Sequence, residues 1–340
     1  MPMFLFLLIL TSCQENAYPE DHEQLTENER IVIRLSHVVG ENTPKGLASR
    51  YFAERMKEKT NGYVEVQVFP NSTLYKDGEE MEALVDGDVQ MIAPSTSKLT
   101  SLIPEWQVID LPFAFEEVSE VDEYLHSPPG NVLEKKLEEK GMYPLAFWNN
   151  GFKQMTNNNR PLKKPGDFTD LDFRVMSSEI LIKQFELMDA NAQIETFDQV
   201  FMKLDKNKVN AQENTFSNIV NKNIQSVQDY LTISNHGYLG YIVLMNDDFW
   251  HSLSDDIQVI ILETLEETSE WEMEISEEVN EESLETLKEC DCIDIHEITK
   301  EEQKEWEDAL DPLYEEFKER FGAQYIDYLP KNKTNKEEKK

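Results

Sequence analysis

The sequence predicts an α/β protein of two lobes, with one long helix that crosses both. Three observations support this prediction. A strand–helix–strand pattern occupies residues 31–69, a second α/β run begins near Gly151, and a helical pattern continues from Asp255 to Cys290 without Gly or Pro. At 1.5 Å per residue this helix is about 50 Å long, which exceeds the width of one lobe.

The first lobe begins with a βαβ unit, which a further helix and strand extend into a parallel sheet. Thr43 is predicted to cap the first helix with Pro44 at its first position, and Asn61-Gly62 to end it. Alternating or continuous apolar side chains mark the strands. The predicted elements are strands over 31–36, 64–69 and 89–93 and helices over 44–60 and 79–86.

The second lobe and the C-terminal part follow the same rules. Ser254 caps the long helix, and Thr299 with Glu302 forms a capping-box pattern before a final amphipathic helix. That helix runs through Trp306 and Phe317 at helical spacing. The other predicted elements are strands over 173–176, 209–214 and 292–295 and helices over 179–188 and 197–204.

The N-terminus predicts an extracytoplasmic protein, lipid-anchored to the outer face of the cell membrane. The apolar run 4–10 leads into Leu10-Thr11-Ser12-Cys13, which resembles a bacterial lipoprotein signal whose Cys is acylated. The run is too short to span a bilayer, which needs about 20 residues. No Lys or Arg precedes Arg30, so the usual positive n-region is missing. The alternative is a hydrophobic N-terminus with a chance Cys.

These patterns divide the chain into five parts. Polar, turn-rich residues after the signal are typical of a flexible tether, and the C-terminal residues have low complexity. The predicted parts are a lipoprotein signal over 1–13, a tether over 14–30, a first lobe over 31–150 plus about 240–279, a second lobe over 151–239 plus about 280–328, and a disordered tail over 329–340.

The charge of the chain excludes one class of partner. Its 340 residues include 68 Asp and Glu against 32 Lys and Arg, a formal net charge of -36. Such a surface repels nucleic acid and anionic membranes, because binding phosphate needs clustered Lys and Arg. We therefore expect no nucleic-acid partner, and contact with the membrane through the lipid anchor only.

The remaining cysteines are predicted to be structural. Besides Cys13 the chain contains Cys290 and Cys292, and a bridge between residues two apart would be strained against normal disulfide geometry. With His296 they make a poor zinc site, because structural zinc uses four ligands. We therefore expect folding without a disulfide, no metal site and no cofactor.

The sequence contains no phosphate loop, HExxH motif or nucleophile elbow. Cationic and amide residues instead follow several predicted strands, where open α/β sheets place their ligands. Each residue alone is weak evidence for a binding site, since a Lys is usually a solvated surface residue. In so acidic a chain, however, the recurrence of positive groups at strand ends indicates a pocket for an anion. These residues are Lys45, Ser95, Lys98, Lys153, Arg174 and Asn214.

Seven segments around these residues carry a family resemblance. They are Ser36-His37-Val38 with Thr43-Pro44-Lys45-Gly46, Ala93-Pro94-Ser95-Thr96-Ser97-Lys98, Asp110-Leu111-Pro112-Phe113, Trp148-Asn149-Asn150-Gly151-Phe152-Lys153-Gln154, Phe173-Arg174-Val175-Met176-Ser177-Ser178, Gln212-Glu213-Asn214 and His236-Gly237-Tyr238-Leu239-Gly240-Tyr241. In this order they resemble the solute receptors of tripartite ATP-independent periplasmic (TRAP) transporters, the DctP family, and within it the C4-dicarboxylate branch.

The resemblance implies a periplasmic-binding-protein-like clamshell that closes on an organic acid. Arg174 matches the family arginine that holds a substrate carboxylate, and its planar fork suits two carboxylate oxygens better than a Lys does. Asn214 would donate to the same carboxylate, and Glu213 would orient Arg174 or its neighbours. The other implied positions are Lys45, Ser95 and Lys98 for the distal carboxylate, Lys153 and Tyr238 to complete the ring, and Ser177 as a further ligand-binding or orienting candidate. Phe173 and Phe197 either form walls of the pocket or are ordinary core aromatics.

The predicted function is capture of a C4-dicarboxylate such as malate, succinate or fumarate and its delivery to a TRAP permease, with no chemistry on the ligand. One alternative keeps the fold and changes the ligand to a monocarboxylate, a sugar acid or a sialic-acid-like compound. Such a ligand would leave Lys45 and Lys98 with nothing to neutralise. A different class is an extracellular enzyme acting on an anionic substrate, with Glu213 as general base beside Arg174.

Overall fold

The computed structural model describes residues 30–331, and the predicted signal with Cys13 lies outside the described residues. The strands are β1 (Ile31–Ser36), β2 (Val64–Phe69), β3 (Met91–Ile92), β4 (Met142–Asn157), β5 (Asp172–Val175), β6 (Asn191–Ile194), β7 (Ala211–Asn214), β8 (Tyr230–Asn246) and β9 (Asp294–Glu297). The α-helices are α1 (Pro44–Lys59), α2 (Glu80–Val85), α3 (Thr96–Leu99), α4 (Val118–Leu125), α5 (Pro128–Glu138), α6 (Glu179–Glu186), α7 (Val200–Asp205), α8 (Phe216–Asn221), α9 (Asp247–Ser252), α10 (Asp255–Glu289), α11 (Lys300–Leu310), α12 (Pro312–Phe321) and α13 (Ala323–Ile326). Short 3₁₀ helices lie at Pro104–Asp110, Pro165–Phe168, Phe197–Gln199 and Ile224–Ser226.

These strands form one mixed sheet in the order β2-β1-β3-β8-β4-β7-β5-β6, with β9 beside β8. β1 pairs in parallel with β2 and β3, and β5 pairs in parallel with β6 and β7. Between these two groups, β4 and β8 run antiparallel to each other. They have 16 and 17 residues, so each is long enough to pass from one lobe into the other. The two lobes are thus the two halves of a continuous sheet.

The middle of β4 is irregular and is attached to the long helix. The pairing of β4 with β8 shifts register between Asn149 and Gly151, and Gly151 has a φ of 102°. At this point the Asn149 backbone N–H donates to Glu272 on α10 over 2.8 Å, and the Asn149 side chain donates to Ser276 over 2.9 Å. Polar contacts therefore hold the helix where the strands change lobes.

The long helix crosses both lobes, as predicted. α10 has 35 residues. Its first half buries Ile257 and Ile261 in a core cluster with α1, β1 and β2, and its last turns bury Leu287 in a second cluster with the region around α7 and α8. No helix within residues 30–331 combines the length and the apolar character of a membrane span.

The βαβ unit at the start of the chain is confirmed. β1 and β2 pair in parallel along their full length. The Thr43 side chain caps α1 by accepting a hydrogen bond from the Gly46 N–H over 3.3 Å, with Pro44 at the first helical position. Gly46 has no room for a side chain, because a Cβ there would lie 2.3 Å from the Gly40 carbonyl oxygen. The loop before α1 is therefore packed closely against its first turn.

The prediction that the chain folds without a disulfide is wrong, because Cys290 and Cys292 are bridged. Their Cα atoms lie 5.1 Å apart, which is within the usual range for bridged residues. Asp291 between them has a φ of 50°. This left-handed residue reverses the chain within one step and brings the two side chains together.

The predicted final helix is also wrong in one respect, because it is two helices. Pro312 begins α12 directly after the end of α11, and a Pro cannot continue the hydrogen bonding of the preceding helix. Together the two helices contact both lobes: the Tyr314 hydroxyl on α12 donates to the Pro112 carbonyl of the first lobe over 2.7 Å, and the Trp306 indole on α11 donates to the Lys163 carbonyl of the second lobe over 3.1 Å. Leu329, which was assigned to the tail, is fully buried.

Candidate anion-binding site

A cavity lies between the two lobes, where the strand ends of both half-sheets face each other. The first lobe contributes Lys45, Asp77, Glu80, Ser95 and Lys98. The second lobe contributes Arg174, Phe197, Asn214 and Asn218. The cavity volume is about 30 Å³, which is room for a few waters only. Polar side chains from the two lobes therefore face one another at close range.

Arg174 at the end of β5 has unused hydrogen-bond donors. The side chain is 1% exposed, and its Nε donates to the Glu195 carbonyl over 2.9 Å. Its Nη1 and Nη2 have no partner among the described residues. Burial lowers the pKa of Arg174 and the nearby Asp77 carboxylate opposes this, yet a guanidinium stays charged at any ordinary pH. A buried guanidinium with two unpaired nitrogens needs a hydrogen-bond acceptor in the cavity.

Lys45 lies opposite, in the first turn of α1. It is 1% exposed, and its ammonium donates to the Ala93 carbonyl over 2.7 Å. The same nitrogen lies 3.7 Å from the centroid of the Tyr241 ring, a cation–π contact. Burial lowers the pKa of Lys45, against the opposing charges of Glu80 and Asp77. Within residues 30–331 this ammonium has no carboxylate at ion-pair distance.

Lys98 differs from Lys45 because its charge is already balanced. Its Nζ lies 3.0 Å from the Asp77 carboxylate, and both side chains are buried. It also contacts the Ser177 hydroxyl over 3.3 Å, while Asp77 accepts the Phe197 backbone N–H over 2.7 Å. Asp77 and Lys98 come from the first lobe and Ser177 and Phe197 from the second. The ion pair therefore connects the lobes beside the cavity.

The smaller predicted residues also reach the cavity. Ser95 follows β3, and its hydroxyl lies 3.6 Å from the Met176 sulfur. The Asn214 side-chain oxygen accepts the Thr215 N–H over 3.1 Å and the Asn218 amide over 2.7 Å. That leaves the Asn214 amide nitrogen as its group for a ligand. Phe197 forms part of the wall.

Lys153 and Glu213 lie side by side behind the cavity and do not line it. The Lys153 ammonium pairs with the Glu213 carboxylate over 2.5 Å, and the other oxygen of Glu213 is bonded by His236 over 2.8 Å and Gln184 over 3.0 Å. Burial alone would raise the pKa of Glu213, but Lys153 and His236 lower it to about 2. Gly237 makes room for the lysine, because a Cβ there would lie 2.7 Å from its stem.

The two aromatic candidates Phe173 and Tyr238 also point away from the cavity. Phe173 stacks on Phe185 in the core, with ring centroids 3.8 Å apart, and Tyr238 packs edge-on against Phe152. Leu239 and Tyr241 line the cavity instead. Since alternate residues of a strand face opposite sides, Tyr241 occupies the side that the family pattern suggested for Tyr238.

Sequence reasoning missed the acidic part of the site. Asp77 and Glu80 come after β2 in the chain, but selecting only cations and amides in so acidic a chain left them out. Glu80 is 2% exposed, and its Oε2 has no hydrogen-bond partner among the described residues. Burial and the neighbouring Asp77 raise the pKa of Glu80, and Lys45 opposes them.

Comparison with known proteins places the chain in a family. The family model described as bacterial extracellular solute-binding protein, family 7 (DctP) matches residues 35–320. The C4-dicarboxylate-binding protein DctB of Bacillus subtilis is 44% identical over 316 residues, 93% of this chain and 90% of that protein. The C4-dicarboxylate-binding periplasmic protein DctP of Rhodobacter capsulatus is 41% identical over 299 residues, 88% and 90% of the two chains.

A solved structure shows the same architecture. The TRAP periplasmic solute-binding protein of Sulfurospirillum deleyianum, with bound succinate, is 39% identical and has a TM-score of 0.85, covering 88% of this chain and 98% of that chain. The family and the two-lobe fold predicted from the sequence are therefore confirmed, and the extracellular enzyme is not supported. The chain belongs to the bacterial extracellular solute-binding proteins of family 7, the DctP receptors of TRAP transporters.

Proposed function

We propose that this receptor binds a C4-dicarboxylate, such as succinate, malate or fumarate, in the interlobe cavity and delivers it to the membrane subunits of a TRAP transporter. The observation that carries the proposal is the buried guanidinium of Arg174, whose Nη1 and Nη2 have no partner within residues 30–331. A carboxylate accepts both donors in the bidentate geometry that Arg favours. The Asn214 amide lies on the same lobe and supplies a further donor.

A second cation supports a ligand with two carboxylates. Within the described residues, Lys98 and Lys153 are each paired with a buried carboxylate, whereas the Lys45 ammonium contacts only a carbonyl oxygen and an aromatic face. Lys45 and Arg174 are thus the two cations whose charge a ligand can neutralise, and they belong to opposite lobes. A dicarboxylate that joins them stabilises the closed arrangement, so affinity is coupled to lobe closure.

The small size of the cavity implies that a ligand enters by lobe opening. With about 30 Å³ open to the centre of a water molecule, the described arrangement has no room for a large ligand. Four-carbon acids also agree with the names of the Bacillus and Rhodobacter relatives and with the succinate in the Sulfurospirillum structure. We infer that the lobes part at the β4–β8 crossing to admit the ligand.

We also propose that acylated Cys13 anchors the receptor to the outer face of the cell membrane. Support comes from the apolar run that precedes Leu10-Thr11-Ser12-Cys13. An anchor would keep the receptor close to its permease while the acidic folded part stays in solution.

Replacing Arg174 tests whether its guanidinium binds a carboxylate of the ligand. Arg174→Ala should weaken succinate binding by roughly 2–5 kcal/mol, because the charged partner of a buried carboxylate is lost. Arg174→Lys should recover only part of this, since it restores the charge and not the fork. The free protein should still fold, because the terminal nitrogens bond no protein atom within residues 30–331 and the variant loses only the Nε hydrogen bond to the Glu195 carbonyl. Calorimetric titration of Arg174→Ala giving an affinity within about threefold of the parent would remove Arg174 from the site.

Replacing Lys45 tests the number of carboxylates on the ligand. The parent should prefer succinate over butyrate, and Lys45→Met should lose about tenfold to a hundredfold in succinate affinity while butyrate affinity stays within about threefold. Lys222→Met is the matched control, because Lys222 also makes a cation–π contact, with the Phe197 ring, and does not line the cavity. Equal binding of both acids by the parent, or unchanged discrimination in Lys45→Met, would favour a monocarboxylate or sugar acid as ligand.

The anchor has its own test. Cys13→Ser should release the receptor from the membrane fraction or leave it unprocessed, because one apolar segment without acylation does not hold a folded domain at a membrane. Fractionation of cells that express parent and variant measures this. A variant that is processed normally and stays with the membrane would contradict the lipoprotein assignment.

A further inference from the structure

The charges that line the cavity do not match a dianion. Its walls carry three cations, Lys45, Lys98 and Arg174, and two carboxylates, Asp77 and Glu80. With all five ionised the empty cavity has one net positive charge, and a bound dicarboxylate would leave it with one net negative charge. An uncompensated charge in a buried site is unfavourable. One additional proton would make the filled cavity neutral.

Glu80 is the group placed to hold that proton. It is almost fully buried at the start of α2, and its Oε2 has no hydrogen-bond partner among the described residues. Asp77 is less suited, because its carboxylate is already paired with Lys98 and accepts the Phe197 N–H. Two neighbouring buried carboxylates readily share one proton, since ionising both is unfavourable. A protonated Oε2 would be a hydrogen-bond donor, and the carboxylates of the ligand are acceptors.

The other titratable groups around Glu80 agree with this assignment. Burial and Asp77 already raise the pKa of Glu80 in the empty cavity, although Lys45 opposes them. A dianion arriving beside it would raise that pKa further. Burial and the charge of Lys45 lower the pKa of His37 to about 3, so His37 stays neutral. The facing groups are Lys45 from α1, Asp77 from the loop before α2, Lys98 from α3 and Arg174 from β5.

We propose that Glu80 is neutral when the receptor holds a dicarboxylate, so that the dianion binds together with one proton carried by the Glu80 carboxyl group. This inference rests on the proposed function of the cavity. It makes the affinity for the dicarboxylate depend on pH. The affinity falls as rising pH removes the proton from Glu80 in the free receptor.

The test measures succinate affinity by calorimetry between about pH 7 and pH 9, where both succinate carboxyl groups are ionised. Above the pKa of Glu80 in the free receptor, linkage to one proton weakens binding by up to about tenfold per pH unit. Titrations of the parent in two buffers of different ionisation enthalpy should show uptake of up to one proton. Binding without proton uptake, with the same affinity across this range, would overturn the proposal and leave the proposed function intact.

Two variants assign the proton to its residue. Glu80→Gln keeps a donor in place and cannot ionise, so its succinate affinity should be largely independent of pH. Asp77→Asn removes the other carboxylate of the same cavity, and it should keep the pH dependence, shifted to lower pH because Asp77 raises the pKa of Glu80. A pH dependence that survives in Glu80→Gln would overturn the proposal and assign the proton to another group of the cavity. A parent that binds no dicarboxylate at any pH would overturn the proposed function as well.

Discussion

The antiparallel pairing of β4 with β8 is the constraint on which the cavity depends. Because both strands continue from one lobe into the other, the strand ends of the two half-sheets face each other across a single gap. The strands change lobes near Asn149 and Gly151, where their register shifts. α10 is fixed at the same point through Glu272, which is buried and whose pKa burial raises well above its usual range. A small change at this crossing therefore changes the distance between the two walls of the site.

The site also shows how a chain with a net charge of -36 maintains an anion pocket. At ordinary salt, exposed acidic groups more than about 8–10 Å away are largely screened, so the local arrangement decides what binds. Buried carboxylates balance the cations that position the walls, as Asp77 does for Lys98 and Glu213 for Lys153. The charges of Arg174 and Lys45 are left for a ligand. Pairing thus separates cations that hold the structure from cations that face the solute.

The sequence predicts correctly those elements whose structure depends on residues close together in the chain. The cap at Thr43 and the uninterrupted helix after Asp255 depend on neighbouring residues only, and both were predicted. The crossing strands β4 and β8 were not, because their pairing is set by partners far away in the chain. Family motifs located the strand that lines the cavity, but strand phase decides that Tyr241 and not Tyr238 faces it. The disulfide was missed because the left-handed turn at Asp291 is not visible in cysteine spacing.

A crystal structure of the receptor with succinate would show which groups hold the ligand. We expect one carboxylate of succinate within hydrogen-bond distance of Nη1 and Nη2 of Arg174, and the other carboxylate on the Lys45 side of the cavity, with the lobes closed around the ligand. Succinate bound outside the interlobe cavity, or bound within it while both terminal nitrogens of Arg174 remain without a partner, would show that the cavity is not the dicarboxylate site described above.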